Sequence, residues 1–349
     1  MPTTVAFFNA NNFFLRYKWG QGYPGDASGK SYYSSPKWGF LPLYTAGTFV
    51  PYNETQTRLL ASSLGMEDGT LPDVALFCEV ESLLALRAFN ENYLGGHYRE
   101  ALLIDSRDFR QIDVGVLSNR PILSAKSHVD DRDEKGGLVF SRDCLEVELD
   151  LEDGYRLVVF VNHLKSKFVD RKNKTAAQIK AATRKSNERR KSQAEAVKRI
   201  VKSRFAGSAF NSELFMVVGD LNDQPYSPWV KPLVRDAGLY DVMRELPEEE
   251  RWTYWWKSKN RVSQIDYLLL SPALKRLIQD FGVVPRIERR GIGFKSVLSD
   301  GQPGPRKTNF YVTEDDSDPA KIDFRFERFD GVTQRSHASD HCPVFLEIP

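Results

Sequence analysis

The chain has 349 residues, 41% hydrophobic and 12% aromatic, so it can bury a sizeable core. No apolar run approaches the ~18 residues of a membrane-spanning helix, and the three cysteines, Cys78, Cys144 and Cys342, make neither a disulfide framework nor a zinc spacing. Net charge is only +2, yet residues 165–204 hold fifteen Lys or Arg against three acids, leaving +12 there and −10 elsewhere, which points to an anionic partner meeting one basic segment.

In chain order, Val5–Phe8 reads as a buried strand ending on Asn9. Residues 16–52, full of Tyr, Trp, Gly and Pro, read as irregular. Asn53-Glu54-Thr55-Gln56 has the form of a capping box opening a helix through Leu59, Leu60 and Leu64, closed by Gly65. Val74–Cys78 is a second strand, ending on Glu79, followed by a helix expected to turn Leu83, Leu84, Leu86, Phe89 and Tyr93 inward before Gly95-Gly96. Leu145–Glu152 alternates as a half-exposed strand should, and Asp153-Gly154 turns it into Arg156–Val161, which ends on Asn162-His163. Thr175–Phe205 is rich in helix formers but becomes regular in its apolar residues only at Ala194, Val197, Ile200 and Val201. A basic arm followed by a docked helix is expected there. Leu214–Val218 stops on Gly219-Asp220-Leu221-Asn222; Ser263-Gln264-Ile265-Asp266 opens the strand Tyr267–Leu270; residues 285–337 read as irregular; and Ser339-Asp340-His341 opens Cys342–Leu346. No internal repeat is present.

Four strands thus end on polar groups and two begin with them. If the two kinds run antiparallel, all these groups arrive at one edge of a sheet assembly, where a buried scaffold positions a shared site. Because the polar positions run from Asn9 to His341, one domain spanning 1–349 is expected, with long insertions near 16–52, 166–192 and 285–337. Glu79, Asp220, Asp266 and Asp340, accompanied by Asn9, Asn222, His163 and His341, form a hard-oxygen set that suits Mg²⁺ or Mn²⁺ better than Zn²⁺. The matching substrate is a phosphate ester: a cation neutralises its charge, a carboxylate activates water and a histidine serves the developing oxyanion. The cysteines read as small buried hydrophobes, and His97 and His128 as structural or exposed.

The pieces Phe8-Asn9 with Asn12-Phe13, Glu79-Val80-Glu81, Asn162-His163-Leu164-Lys165-Ser166-Lys167, Gly219-Asp220-Leu221-Asn222, Gln264-Ile265-Asp266-Tyr267 and Ser339-Asp340-His341 occur in an order that resembles the endonuclease/exonuclease/phosphatase superfamily over nearly the whole chain. The resemblance implies an α/β (α+β) fold, a four-layered α/β/β/α sandwich with two packed mixed β-sheets. It implies Glu79 as principal metal ligand, with Asn9 nearby and Asp340 as a further ligand. Asp220 orients or deprotonates the attacking water, and Asn222 holds that water or the phosphate. His341 contacts the scissile phosphate with Asp266 fixing its tautomer; His163 assists the phosphate or leaving oxygen; Lys165 adds positive charge, and Asn9 doubles as a substrate contact.

Asp223-Gln224-Pro225 and Asp266-Tyr267-Leu268 depart from the inositol polyphosphate phosphatase pattern, while Asn-His-Leu-Lys-Ser-Lys is similar to that of bacterial secreted-type nucleases and uncharacterised bacterial phosphohydrolases. The basic segment favours nucleic acid as partner, through backbone phosphates, with Tyr17, Trp19, Tyr32, Tyr33 and Trp38 as expected stacking surfaces. Replacing Arg184, Lys185, Arg189, Arg190 and Lys191 is then expected to weaken binding. A nuclease is the favoured reading; the alternatives are a phosphohydrolase acting on a small or lipid phosphodiester, as sphingomyelinases do, and a non-catalytic binding protein on the same fold. No stable membrane association is expected. The amino terminus enters a strand without a signal-peptide pattern, so a cytoplasmic location is expected, or secretion if the chain has been processed.

Overall fold

The computed structural model describes residues 2–14, 17–19, 49–51, 54–65, 69–256, 261–289, 294–296, 306–311, 321–328 and 338–349. Its elements begin with β1 (Thr3–Phe13), β2 (Tyr17–Trp19), β3 (Phe49–Pro51), α1 (Glu54–Leu64), β4 (Val74–Val80), α2 (Leu83–Tyr93), β5 (Glu100–Leu103) and β6 (Asp113–Ser118). They continue through β7 (Ile122–Lys126), β8 (Cys144–Asp150), β9 (Arg156–His163), α3 (Ala176–Arg204), α4 (Ala209–Ser212), β10 (Phe215–Asp220), α5 (Lys231–Val234) and β11 (Tyr240–Asp241). The remainder are β12 (Tyr254–Trp256), β13 (Arg261–Ser263), β14 (Asp266–Leu270), α6 (Pro272–Asp280), β15 (Arg286–Ile287), β16 (Phe294–Ser296), β17 (Arg306–Tyr311), β18 (Lys321–Arg328) and β19 (Val344–Ile348).

Two six-stranded mixed sheets, ordered β15-β19-β1-β4-β6-β5 and β11-β14-β10-β9-β8-β7, pack face to face. Val5, Phe7, Leu76, Val114 and Val116 from the first meet Leu145, Val159, Val161, Val218 and Leu268 from the second, all fully buried. On the outer face of the first sheet, Phe8, Ala75 and Phe77 cluster with Leu60 and Leu64 of α1 and Leu86 and Phe89 of α2. On the outer face of the second, Phe160, Phe215 and Val217 cluster with Ala194, Val197 and Val201 of α3 and Leu233 of α5. The result is the α/β/β/α sandwich. Its strands bury both faces, so β1, β4, β9 and β10 are continuous apolar runs.

The sheet register brings the polar strand ends together. In the first sheet β1 runs parallel to β4 and antiparallel to β19, setting Asn9 opposite Cys78 and Phe7 opposite Val344. In the second, β10 runs parallel to β9 and antiparallel to β14, so Asp220 lies opposite both His163 and Asp266. Gly219 makes this possible. A Cβ there would stand 2.0 Å from the carbonyl oxygen of Asn162, which is backbone and cannot yield. Gly219→Ala is therefore expected to cost at least about 2–3 kcal/mol, read as a lower denaturation midpoint. An unchanged midpoint would contradict this close approach.

Several elements differ from the sequence reading. Leu84 is 68% exposed, because the inward stripe of α2 runs through Leu86 and Phe89 and position 84 lies off it by nearly half a turn. The strand β8 is not half-exposed: Arg204, at the end of α3, covers its polar side with Nε 2.9 Å from Glu146 and Nη2 3.3 Å from Glu148. The basic arm and docked helix are one helix, α3, opened by a Thr175–Gln178 capping box. Its first ten residues carry no buried side chain, and docking begins at Ser186, on polar contacts that apolar periodicity does not register. The two stretches read as irregular contain strands. β2 pairs with β3, and β15–β18 fall within 285–337, where β16, β17 and β18 join β12 and β13 in a five-stranded sheet. Asn53, the expected cap of α1, lies outside the described residues, as does His337. His128 is buried between Asp131, 2.9 Å away, and Glu146.

Candidate active site

Where the two sheets end, Asp220 is the hub. Its Oδ2 accepts from Asn9 Nδ2 (3.1 Å) and Asn222 Nδ2 (3.1 Å), and its Oδ1 accepts from the Asn222 backbone (2.7 Å). His163 Nε2 lies 3.7 Å from the same Oδ2 and His341 Nε2 lies 3.9 Å away. On its far side His341 Nδ1 meets both oxygens of Asp266, at 2.9 and 3.1 Å. A carboxylate on Nδ1 leaves Nε2 as the ring nitrogen facing the cleft. His341 is fixed further by Ser339, whose hydroxyl donates to Asn9 O and accepts from the His341 backbone, so the start of β19 is tied to β1.

Glu79 reaches the site through a kink. It has φ +64 where the pairing of β4 with β6 slips between Cys78 and Val80. Such a bulge re-aims a side chain, and a left-handed non-glycine costs on the order of 1–3 kcal/mol. The redirected carboxylate accepts from the Asn12 backbone (2.9 Å) and stands 3.6 Å from His163 Nε2. His163 therefore sits between Glu79 and Asp220. Its Nδ1 has no protein partner among the described residues.

The electrostatics follow from burial and crowding. Burial, opposed by His341 and reinforced by Asp266, raises the Asp220 carboxyl to about 7. Burial would lower His341, but the Asp266 charge and hydrogen bond, with Asp220 adding to them, carry it up to about 10. His163 is pushed well below the usual imidazole range by burial and by the charges of Arg142 and His341, so it is neutral. Glu79 is raised by burial, with Asp340 acting in the same sense. Burial and the neighbouring Arg142 and Arg110 lower Lys165, whose Nζ reaches Ser166 O at 3.4 Å. Asp340 is one-third exposed, 3.9 Å from His341 Nε2.

This donor set fits a hard divalent cation. Acids with raised proton affinity crowd one cleft, their remaining donors are amides and imidazoles, and the thiols of Cys78 and Cys342 beside them are held protonated by burial and by neighbouring acids. The tightest ligand groupings among the described residues are Cys78–His163–Asp220 and Asp220–Asp266–His341. Neither contains Glu79 or Asp340, the acids expected as ligands, which stand at the rim of the same cleft.

Every expected site residue lies at this edge, but the expected surface cations do not all lie on a surface. Arg190 is wholly buried: Nε donates to Lys165 O (2.8 Å) and Nη1 lies 2.9 Å from Asp223. Gln193 accepts from the Lys165 backbone (2.8 Å) and donates to Val139 O (3.2 Å). These α3 side chains hold the segment after His163 against the turn after Asp220; they support the site and are unavailable to a partner. The basic run hid them, since charged residues in it look alike. The expected stacking aromatics Tyr32, Tyr33 and Trp38 lie outside the described residues, as do the side chains of Tyr17 and Trp19.

Sequence reading also missed Arg142 and Tyr254. Arg142 is buried, with Nε 3.0 Å from Asp108 and Nη1 donating to Leu164 O (3.0 Å), the same carbonyl that accepts from Asn222 Nδ2 (3.1 Å). Tyr254 places its ring 4.9 Å from that of His341. Neither position carries a local signal, because each reaches the site from a strand or loop distant in sequence.

Fold and site define a class, and the comparisons agree. The family model described as Endonuclease/Exonuclease/phosphatase family matches residues 52–300, most of the chain, and the chain belongs to that family. A comparison with curated proteins finds no match. Among solved structures, the human nocturnin catalytic domain with bound sulfate has TM-score 0.53 at 13% identity, covering 100% of this chain and 94% of that one. Sphingomyelinase C from Streptomyces griseocarneus has TM-score 0.51 at 14% identity, covering 100% of both. Humanized D. rerio TDP2, altered by 14 mutations, has TM-score 0.50 at 15% identity, covering 100% of this chain and 99% of that one. At these identities the likeness is one of fold.

Proposed function

We propose that this protein is a divalent-cation-dependent phosphodiesterase that hydrolyses nucleic acid. The observation that carries the reaction is Asp220 at the meeting point of Asn9, His163 and His341, with Asp266 behind His341. A Mg²⁺ or Mn²⁺ ion held from the side of Glu79, with Asn9 and Asp340 in reach, would neutralise phosphate charge. Asp220, with proton affinity near neutrality, takes the proton of the attacking water. Asn222 spends its amide nitrogen on Leu164 O and Asp220, so its carbonyl oxygen is left to accept from that water. His341, a cation held by Asp266, donates from Nε2 to the phosphate oxygen where charge develops. Neutral His163 donates without adding charge, and Lys165 supplies a cation at the edge.

What supports nucleic acid as substrate is the exposed half of α3, where Lys180, Arg184 and Lys185 face solvent beyond the segment holding Lys165. The test is an assay with Mg²⁺ or Mn²⁺ against EDTA, on single-stranded DNA, RNA, plasmid, bis(4-nitrophenyl) phosphate and sphingomyelin vesicles. Cation-dependent cleavage of nucleic acid is expected. In binding assays the log–log salt slope should fall by up to about 2–3 when Lys180, Arg184 and Lys185 are changed to Gln. No turnover on any substrate would overturn the enzyme reading, and turnover confined to small or lipid diesters would overturn the nuclease reading.

A further inference from the structure

Phe109 is 94% exposed, the highest value of any large hydrophobic side chain among the described residues. It is not on a loose loop. Phe109 and Arg110 are the central residues of a turn in which the Gln111 backbone donates to Asp108 O (2.9 Å) and the Arg110 backbone donates to Asp108 Oδ1 (3.0 Å). The Asp108 backbone is capped by Ser106 Oγ, and the Arg107 backbone donates to Ser141 O (3.1 Å). The turn is then bolted to the active site. Asp108 pairs with buried Arg142 at 3.0 Å, and Arg142 shares the Leu164 carbonyl with Asn222. The Arg110 guanidinium, 42% exposed, is near enough for its charge to act on Glu79, His163 and Lys165.

We infer that the Asp108–Gln111 turn is a nucleobase-stacking subsite, in which the Phe109 ring takes the face of an unpaired base beside the scissile phosphate and Arg110 takes the adjoining phosphate. This rests on the nuclease reading above. An aromatic face and a cation on consecutive residues match the base and phosphate of one nucleotide, and base–aromatic stacking tolerates any sequence. The chain on either side of Phe109 argues against insertion into a lipid surface: Ser106, Arg107, Asp108, Arg110 and Gln111 are all polar or charged, so the turn itself brings no apolar residue to bury with the ring. Stacking requires a base already out of its helix, so the preferred substrate is single-stranded.

The experiment compares kcat/KM for a single-stranded oligonucleotide with that for an abasic oligomer of the same length and charge, using full-length protein with Mg²⁺. Wild type should prefer the base-bearing strand. Phe109→Ala should shrink that preference by roughly 5- to 150-fold, the range that one stacked base confers, and Phe109→Trp should retain it. Because the ring is exposed, melting temperatures should coincide, which keeps the comparison free of folding defects. A preference undiminished in Phe109→Ala overturns the subsite while leaving the nuclease reading intact. Cleavage of bis(4-nitrophenyl) phosphate but of no oligonucleotide overturns both. Binding of wild type to sphingomyelin–phosphatidylcholine vesicles that Phe109→Ala abolishes makes the turn a membrane contact and overturns the inference.

Discussion

Replacing Asp220 with Asn is expected to lower turnover by about 10²–10⁴-fold and to shift stability toward the variant as pH rises. The loss follows from removing the one carboxylate that faces Asn9, Asn222 and both histidines, since an amide cannot take a proton from water. The stability effect follows from linkage. Burial raises Asp220 from 3.8 to about 7 in the folded protein. Between those values the unfolded chain has lost the proton and the folded chain retains it, so the native state is progressively penalised as pH rises, with the full penalty above about 7. The amide of the Asp220→Asn variant does not titrate. Its stability relative to wild type should therefore improve by about 2.5 kcal/mol between pH 5 and pH 8 in cation-free protein, read from denaturant midpoints at the two pH values. The absolute difference also contains the lost acceptor at Oδ2, worth about 1 kcal/mol for each bond from Asn9 and Asn222, so the pH trend is the cleaner observable. A difference that does not change with pH would refute the buried, proton-hungry state of Asp220.

Asp266→Asn should be nearly as damaging, through His341. Asp266 is fully buried and holds His341 Nδ1 from 2.9 Å. Its charge and hydrogen bond are what lift His341 to about 10 against the opposing pull of burial. The imidazolium in the wild type thus persists through neutral pH and is lost only as pH rises through about 10. Any stability it confers is complete below its unfolded value and disappears over the same rise. With an amide in place of the Asp266 carboxylate the largest raising influence is gone, and burial, opposed by Asp220 and Asp340, favours neutral imidazole. Turnover of bis(4-nitrophenyl) phosphate should drop by about 10²–10⁴-fold, and the alkaline limb of the pH–rate profile should move from near 10 to well below it. An alkaline limb in the variant that stays near 10 would assign that limb to another group and remove the His341 cation from the mechanism.

Both experiments concern residues already conspicuous in the sequence. Asp220 and Asp266 mark the ends of continuous apolar runs, and such runs read as buried strands because an interior sheet hides both faces. Once β10 and β14 are paired antiparallel, their polar ends must coincide, and the register places Asp220 opposite Asp266. The edge site was legible for that reason. Glu79 was legible as a strand-end acid but not as a kinked one, since its left-handed backbone is imposed by the slip against β6.

The misreadings share a cause. Arg190 was read as a surface cation in a run of charge, yet it is buried because the Lys165 carbonyl and Asp223 replace its water. Glu146 looked like the exposed side of an alternating strand until Arg204 and His128 closed over it. Polar burial depends on partners, and partners come from other elements. Apolar burial follows a period, which is why most of the core was legible, Leu84 apart, and its polar supports were not.

The apolar runs and the polar groups at their ends determined the edge where the site forms and the donor types that collect there, because strand pairing converts those positions into proximity. The two-sheet sandwich was legible only through the family resemblance, and β2, β3 and β15–β18 were not legible at all. Only the tertiary structure decided which acid is the hub, which histidine carries charge and which arginines hold loops in place. Those properties are set by distances of 3–4 Å between residues up to 332 positions apart and by the water that folding removes.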